Sequence, residues 1–408
     1  MKFSKYLAAL LVCAITPINI ATAAPKTITV KPLTELVKLD ATEEISGMLL
    51  NGKIIYLFGT SLASATTDGF LRAIDSQGNV LWNLPIDSGA DDIFTAGTRD
   101  RQGNIWIVGA SAKSPEITPT PTSSPSALNP DAVVLDPETP LRPDMTILKV
   151  WKVSSQGALI KELSRDVSQA ILPRAVVATA NGVAIGGSIL TETGNAGFVV
   201  QTGATGVLSK LLTIGQSDTE LNAIAMRADN SLIAFGSSTE SLGGKKLVGL
   251  RDGVIVSIST KNKVTAVVRS TNSQSMRTWQ NATNSLFLGG DAVTNGKTEA
   301  VVTKFSAALI PVWTTRYASR GLAIACDLTS QSSAMSFTST SAIKGVTGWK
   351  ASKGQVISLF FDSKGVITGA YGASSLKTVI SVASNADLGL VVLGTTSVGV
   401  SIFHALTR

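Results

Sequence analysis

"DGFLRAIDSQGNVLW", residues 68–82, is two short strands around a tight turn. Its first half alternates between the two kinds of side chain, as a half-buried strand does. "SQGN" then supplies Gly78 for the positive φ that a hairpin turn needs. The second half, "NVLW", returns to apolar side chains. This unit recurs along the chain, and the recurrence sets the fold.

Each unit carries a short apolar run that ends in a small residue. The runs are "IIYLFGTS" (54–61), "IWIVGAS" (105–111), "VAIGGS" (183–188), "LIAFGSS" (232–238), "LFLGGD" (286–291), "AMSFTST" (334–340) and "LVVLGTT" (390–396). Their anchors are Gly59, Gly109, Gly187, Gly236, Gly290, Thr338 and Gly394, spaced by 50, 78, 49, 54, 48 and 56 residues. After each anchor come an alternating strand, a turn and another strand. One more strand precedes the next anchor. Four short antiparallel strands in a period near 50 residues make a propeller blade. Seven anchors predict an all-β, seven-bladed β-propeller of four-stranded antiparallel blades.

The two ends support the same count. The seventh unit supplies three strands, ending at "VSIFHAL" (400–406). An orphan strand, "TITVKPLTELVKL" (27–39), precedes the first unit. That strand is expected to complete the last blade and close the ring, which removes the open sheet edge.

Residues 1–23 have the form of a signal peptide. Lys2 and Lys5 precede an apolar run, and Ala21-Thr22-Ala23 is a small-x-small cleavage site. The domain should then be 24–408, exported to the periplasm, the cell surface or the medium. No later segment has the roughly 18 consecutive apolar residues of a spanning helix. With Cys13 removed, Cys326 is the one thiol left, so no internal disulfide is expected. Net charge is +7, or +5 without Lys2 and Lys5, with no basic stripe, so nucleic acid is not an expected partner. A monomer is expected.

The repeat resembles that of the SBBP β-propeller family of secreted bacterial proteins, whose unit runs roughly D-x-F-V-x-K-L-D-x-x-G-x-x-x-W. Asp68, Phe70, Asp75, Gly78, Asn79 and Trp82 fit it, followed by Gly89, Asp91, Asp92, Asp100, Gly103, Asn104 and Gly109. The match covers about 60 residues and decays in the later units. The resemblance implies a seven-bladed propeller and export, without one fixed activity. "AIDSQGNVLW" (73–82) also resembles the quinoprotein repeat A-x-D-x-x-T-G-x-x-x-W, but it is one residue short, lacks the Thr and occurs in one unit.

Residues 112–144 interrupt the second blade between its second and third strands. They hold eight of the fourteen prolines, so they form a loop and not sheet interior. The next longest insertion, 238–252, is basic through Lys245, Lys246 and Arg251 and falls at the equivalent place in the fourth blade. In a propeller these loops share a face with the blade-to-blade connections. Side chains where the chain enters the inner strands are the ligand-face candidates: Asp91, Asp92, Arg174, Glu220, Arg277, Trp279 and Arg320.

No catalytic, cofactor or metal site is expected. His404 is the one histidine, which leaves no Ser-His-Asp relay and no His-rich metal site. Asp75 and Asp362 are read as turn residues, Trp82 and Trp313 as inter-blade packing, and Cys326 as a buried thiol. The expected function is an exported, non-catalytic scaffold that binds a protein, cell-wall or polysaccharide partner through its loop-rich face. The alternative is a glycosidase or lyase using channel-mouth carboxylates, with Asp91, Asp92 and Glu220 as the acids.

Overall fold

The computed structural model describes residues 27–39, 43–61, 66–113, 141–203, 205–351 and 354–406. The segment read as a signal peptide, and residues 114–140 of the first insertion, lie outside the described residues. Seven sheets of four antiparallel strands follow one another around a ring. Innermost strands, from blade 1 to blade 7, are Glu43–Asn51, Asp92–Arg99, Ile171–Thr179, Thr219–Met226, Ser275–Ala282, Ile324–Thr329 and Thr378–Asn385. Among the described residues there is no helix, and hence none long and apolar enough to cross a membrane.

Burial explains why the apolar runs were so visible. They are the second strands, each sandwiched between neighbouring blades. Every residue of Ile105–Ala112 and of Leu232–Ser238 is buried. A strand covered on both faces is a continuous apolar run, whereas the half-exposed outer strands alternate. The core is correspondingly divided by interface. Tyr56, Phe58 and Leu71 of blade 1 meet Phe94, Ile107 and Trp151 of blade 2. Leu390, Val392 and Phe403 of blade 7 meet Ala334, Val356 and Phe360 of blade 6. Ile45, Ile55 and Leu57 of blade 1 meet Val391, Leu393 and Ile402 of blade 7, which closes the ring.

The anchor glycines have a steric cause. In six blades the innermost strand bulges opposite the anchor, skipping Ser46, Thr95, Arg174, Asn222, Gln280 and Ile380. The bulge drives a carbonyl of the innermost strand against the second strand. A Cβ at Gly109 would stand 1.8 Å from the Ile93 oxygen, and one at Gly394 2.1 Å from the Thr378 oxygen. Blade 6 has Thr338 at this place and no such bulge. Its innermost strand is shortened and pairs only from Ile324 onward, opposite Ser336. In the one unit that breaks the glycine pattern, the anchor instead meets the segment before the inner strand, whose Arg320 amide donates to the Thr338 oxygen at 3.1 Å.

Ring closure is more elaborate than one strand. Thr34–Lys38 completes blade 7 antiparallel to Gly399–Ala405, as expected. Before that, Ile28–Thr29 runs parallel to Val346–Thr347, and Lys31–Pro32 runs parallel to the outermost strand of blade 6, Ile367–Ala373. The expected single strand 27–39 is thus broken at Val30 and Leu33 and shared between two blades, with Pro32 paired at the edge of blade 6. Proline cannot donate to a ladder, so its place on a sheet edge fits. Leu33 turns inward between blades 6 and 7 and is buried there.

Trp82 and Trp313 latch blades together. The Trp82 indole donates to the Ser155 oxygen at 3.2 Å, and Trp313 donates to the Ser363 oxygen at 3.1 Å. Each ring lies over the turn glycine of the next blade, Gly157 or Gly365, where φ is positive and a Cβ would meet the ring at 2.7 Å. Asp75 and Asp362 cap their turns by accepting backbone amides two and four residues on. Cys326 is buried, and burial pushes its thiol up to about 12.

Gly109→Ala should therefore destabilise the fold by about 1–3 kcal/mol, as overpacking against a fixed carbonyl does. Gly321→Ala, where an added Cβ meets nothing within 4 Å, should stay within about 0.5 kcal/mol of the parent. Urea unfolding of the two variants checks the contrast.

Candidate functional site

The seven innermost strands surround a central channel. A cavity of about 330 Å³ in it is lined from all seven blades. The six bulged residues all line it. An innermost strand presents alternate side chains to the two neighbouring blades, because its sheet is sandwiched between them. A bulge breaks that alternation and re-aims a side chain. So Ser46, Thr95, Asn222, Gln280 and Arg174 give the channel a polar wall with one formal charge.

Of the seven residues singled out from the sequence, only Arg174 lines this channel. Trp279 was expected to face a ligand. Its ring is instead fully buried, edge-on to Phe305 within the interface of blades 4 and 5. Arg277 is buried with it, its guanidinium 4.1 Å from the Trp279 ring and its Nη2 donating to Thr303 Oγ1 at 3.0 Å. Burial, with Arg316 nearby, pulls Arg277 down to about 9. Glu220 is half-buried and Arg320 exposed, both off the channel wall. Five of the channel residues that the sequence reading missed follow a rule: Ser46, Thr95, Asn222, Gln280 and Ile380 are each skipped opposite an anchor glycine.

Asp91 and Asp92 hold loops. Asp91 accepts the Thr67 amide at 2.8 Å and pairs with Arg142 at 2.5 Å. Asp92 accepts the Ser88 amide at 2.9 Å and the Ser111 hydroxyl. Arg142 also pairs with Asp144 at 2.5 Å, and these two carboxylates raise its already high pKa. The first insertion is therefore fastened where it rejoins the blade. At its other end Lys113 pairs with Asp166 at 2.7 Å.

Blade 4 repeats the device. Arg251, just before its third strand, pairs with Asp218, just before its innermost strand, at 2.8 Å. Thr239 donates to the same carboxylate, and Glu240 accepts the amides of Gln216, Ser217 and Asp218 and the Thr219 hydroxyl. Burial alone would raise Glu240, but those bonds more than offset it and hold the carboxyl below its usual range. Beyond this root the loop exposes Lys245, Lys246, Val248 and Leu250.

Blade 6 adds an elaboration that the sequence reading did not single out. Its connection 340–354, between Ser332–Ser339 and Gln355–Asp362, is longer than 239–251. Ile343, Val346 and Trp349 in it are buried against blades 5 and 6. Its apolar side chains mask it in a sequence full of apolar runs. All three long connections join second to third strands, on the face that carries the blade-to-blade links.

The fold is that of seven-bladed propellers. Similar solved structures include the Dos1 propeller, at 9% identity and a TM-score of 0.47, covering 93% of this chain and 83% of that one. Another is Chaetomium thermophilum Sqt1 bound to the N-terminus of a ribosomal protein, at 11% identity and a TM-score of 0.47, covering 91% and 86%. A protein from Lactobacillus plantarum is similar at 10% identity and a TM-score of 0.48, covering 84% and 89%. No protein-family model and no curated protein sequence matches the chain.

Removing Arg142 would leave the buried Asp91 carboxylate with one amide donor. Arg142→Ala should cost about 1–3 kcal/mol by urea unfolding. Asp91→Ala/Arg142→Ala should lose clearly less than the sum of the two single variants, a coupling of about 1 kcal/mol.

Proposed function

We propose that the chain is an exported binding scaffold that holds a protein or cell-wall glycan on its loop-rich face. The observation that carries this is the paired rooting of two long connections. Blades 2 and 4 each fasten an elaborated loop to the same face with an Arg–Asp pair, Arg142 to Asp91 and Arg251 to Asp218. Rigid roots under exposed loops are how propellers and sandwiches alike present contact surfaces. Lys245 and Lys246 beside Val248 and Leu250 suit an anionic partner surface with apolar patches. The SBBP-like repeat and the form of residues 1–23 support export.

The carboxylate-enzyme reading has less to stand on. Asp91 and Asp92 are engaged in holding loops, and no carboxylate is among the residues that line the channel cavity.

Co-sedimentation with purified wall polymer and capture of envelope proteins test the face. Lys245→Glu/Lys246→Glu should weaken retention about tenfold or more, as loss and reversal of contact charges does. Lys364→Glu, exposed on a hairpin of the opposite face, should leave it unchanged. Equal effects from both faces would sink the proposal. For export, N-terminal sequencing of the protein recovered outside the cytoplasm should begin at Ala24. A full-length cytoplasmic product would argue against it.

A further inference from the structure

The channel wall contains two buried polar atoms without partners. Arg174 Nε meets no acceptor, and Asn222 Oδ1 meets no donor. Asn222 itself is buried, and its Nδ2 is committed to the Trp279 oxygen at 3.1 Å, which fixes the orientation of the amide and leaves Oδ1 as an acceptor. Arg174 makes no hydrogen bond or ion pair to any described residue, and it is the one charged residue among those lining the cavity. Both are the bulged residues of neighbouring innermost strands, in blades 3 and 4, so they stand at the same level of the ring. Polar groups removed from water without partners are unfavourable. Here a cation and an acceptor without partners stand on neighbouring strands that line one cavity.

We infer that the channel binds a small hydroxycarboxylate, such as a sugar acid. Its carboxylate meets the Arg174 guanidinium, whose fork matches two oxygens. A hydroxyl of the ligand donates to Asn222 Oδ1. Ser46, Thr95 and Gln280 add neutral groups around the rest of the ligand. A cavity of about 330 Å³ is at the small end of the range for small-molecule sites. A neutral sugar lacks the charge that Arg174 calls for. A simple oxyanion lacks the hydroxyl that Asn222 calls for. The glycine pattern ties this site to the sequence: Gly187 and Gly236 permit the two bulges that aim Arg174 and Asn222 inward.

The test is calorimetric titration of the full chain with D-glucuronate, D-gluconate and tartrate, against D-glucose and sulfate. At least one hydroxycarboxylate should bind, with glucose and sulfate weaker by about tenfold or more. Arg174→Gln should weaken it by about tenfold or more, the loss expected of a charge-assisted hydrogen bond. Asn222→Asp keeps the side-chain volume but sets a like charge against the ligand, and should weaken binding as well. If Arg174→Gln does not fold, Asn222→Asp decides alone. The inference is overturned if none of the three hydroxycarboxylates binds, if sulfate binds as well as they do, or if the folded variants bind like the parent. Lys245→Glu/Lys246→Glu should retain this binding, so failure here and failure of the partner-binding face are separate results.

Discussion

Each blade of this protein is a sheet buried on both faces, and everything else follows from that. Such a sheet has no stable existence alone, because its second strand is apolar on both sides. It needs a neighbour on each side, and so does the neighbour. The only arrangement that satisfies every member is a closed ring. Tyr56, Phe94 and Trp151 at one interface, and Ile45, Val391 and Ile402 at another, show the same bargain struck between first and second blades and between last and first. The clasp of Thr34–Lys38 on Gly399–Ala405 is what makes the circle complete.

The same constraint shapes the channel. Side chains of an innermost strand belong by default to the blade interfaces, and in six blades the bulge is the device that diverts one of them to the centre. The diversion needs a glycine across the ladder, because the displaced carbonyl occupies the space of a Cβ. A structural repeat and a lining of variable chemistry are thus encoded together. The glycine is constant in six blades, while the residue it releases is Ser, Thr, Arg, Asn, Gln or Ile.

Much of the architecture was legible in the sequence because double-sided burial leaves uninterrupted apolar runs at a fixed period. The blade count, the closing strand, the turn roles of Asp75 and Asp362 and the packing roles of Trp82 and Trp313 all rest on such local patterns. The site was less legible. Arg277 and Trp279 are ligand-face candidates in the sequence because they stand where the chain enters an inner strand. Whether a side chain faces a blade or the channel depends on a one-residue shift in register, which periodicity does not reveal. Asp91 and Asp92 were visible as charges near the mouth, but their partners, Arg142 and Ser111, are 51 and 19 residues away. The connection 340–354 escaped notice since its Ile343, Val346 and Trp349 resemble core residues, which is what they are.

The broken closing segment also determines how the molecule responds to a pull on its two ends. Thr34 pairs with His404 and Lys38 with Ser401, so tension on the outer ends of this antiparallel pair would open it one bond at a time, the weak direction for a sheet. Residues 28–32 intervene. They are bonded to Val346–Thr347 and to Tyr371 and Gly372 of blade 6, and the Leu33 amide donates to the Gly372 oxygen at 2.9 Å. Load from the N-terminal side falls first on these parallel bonds and on the buried Leu33. The seam of the ring is thereby shielded from peeling by an attachment to the blade next door.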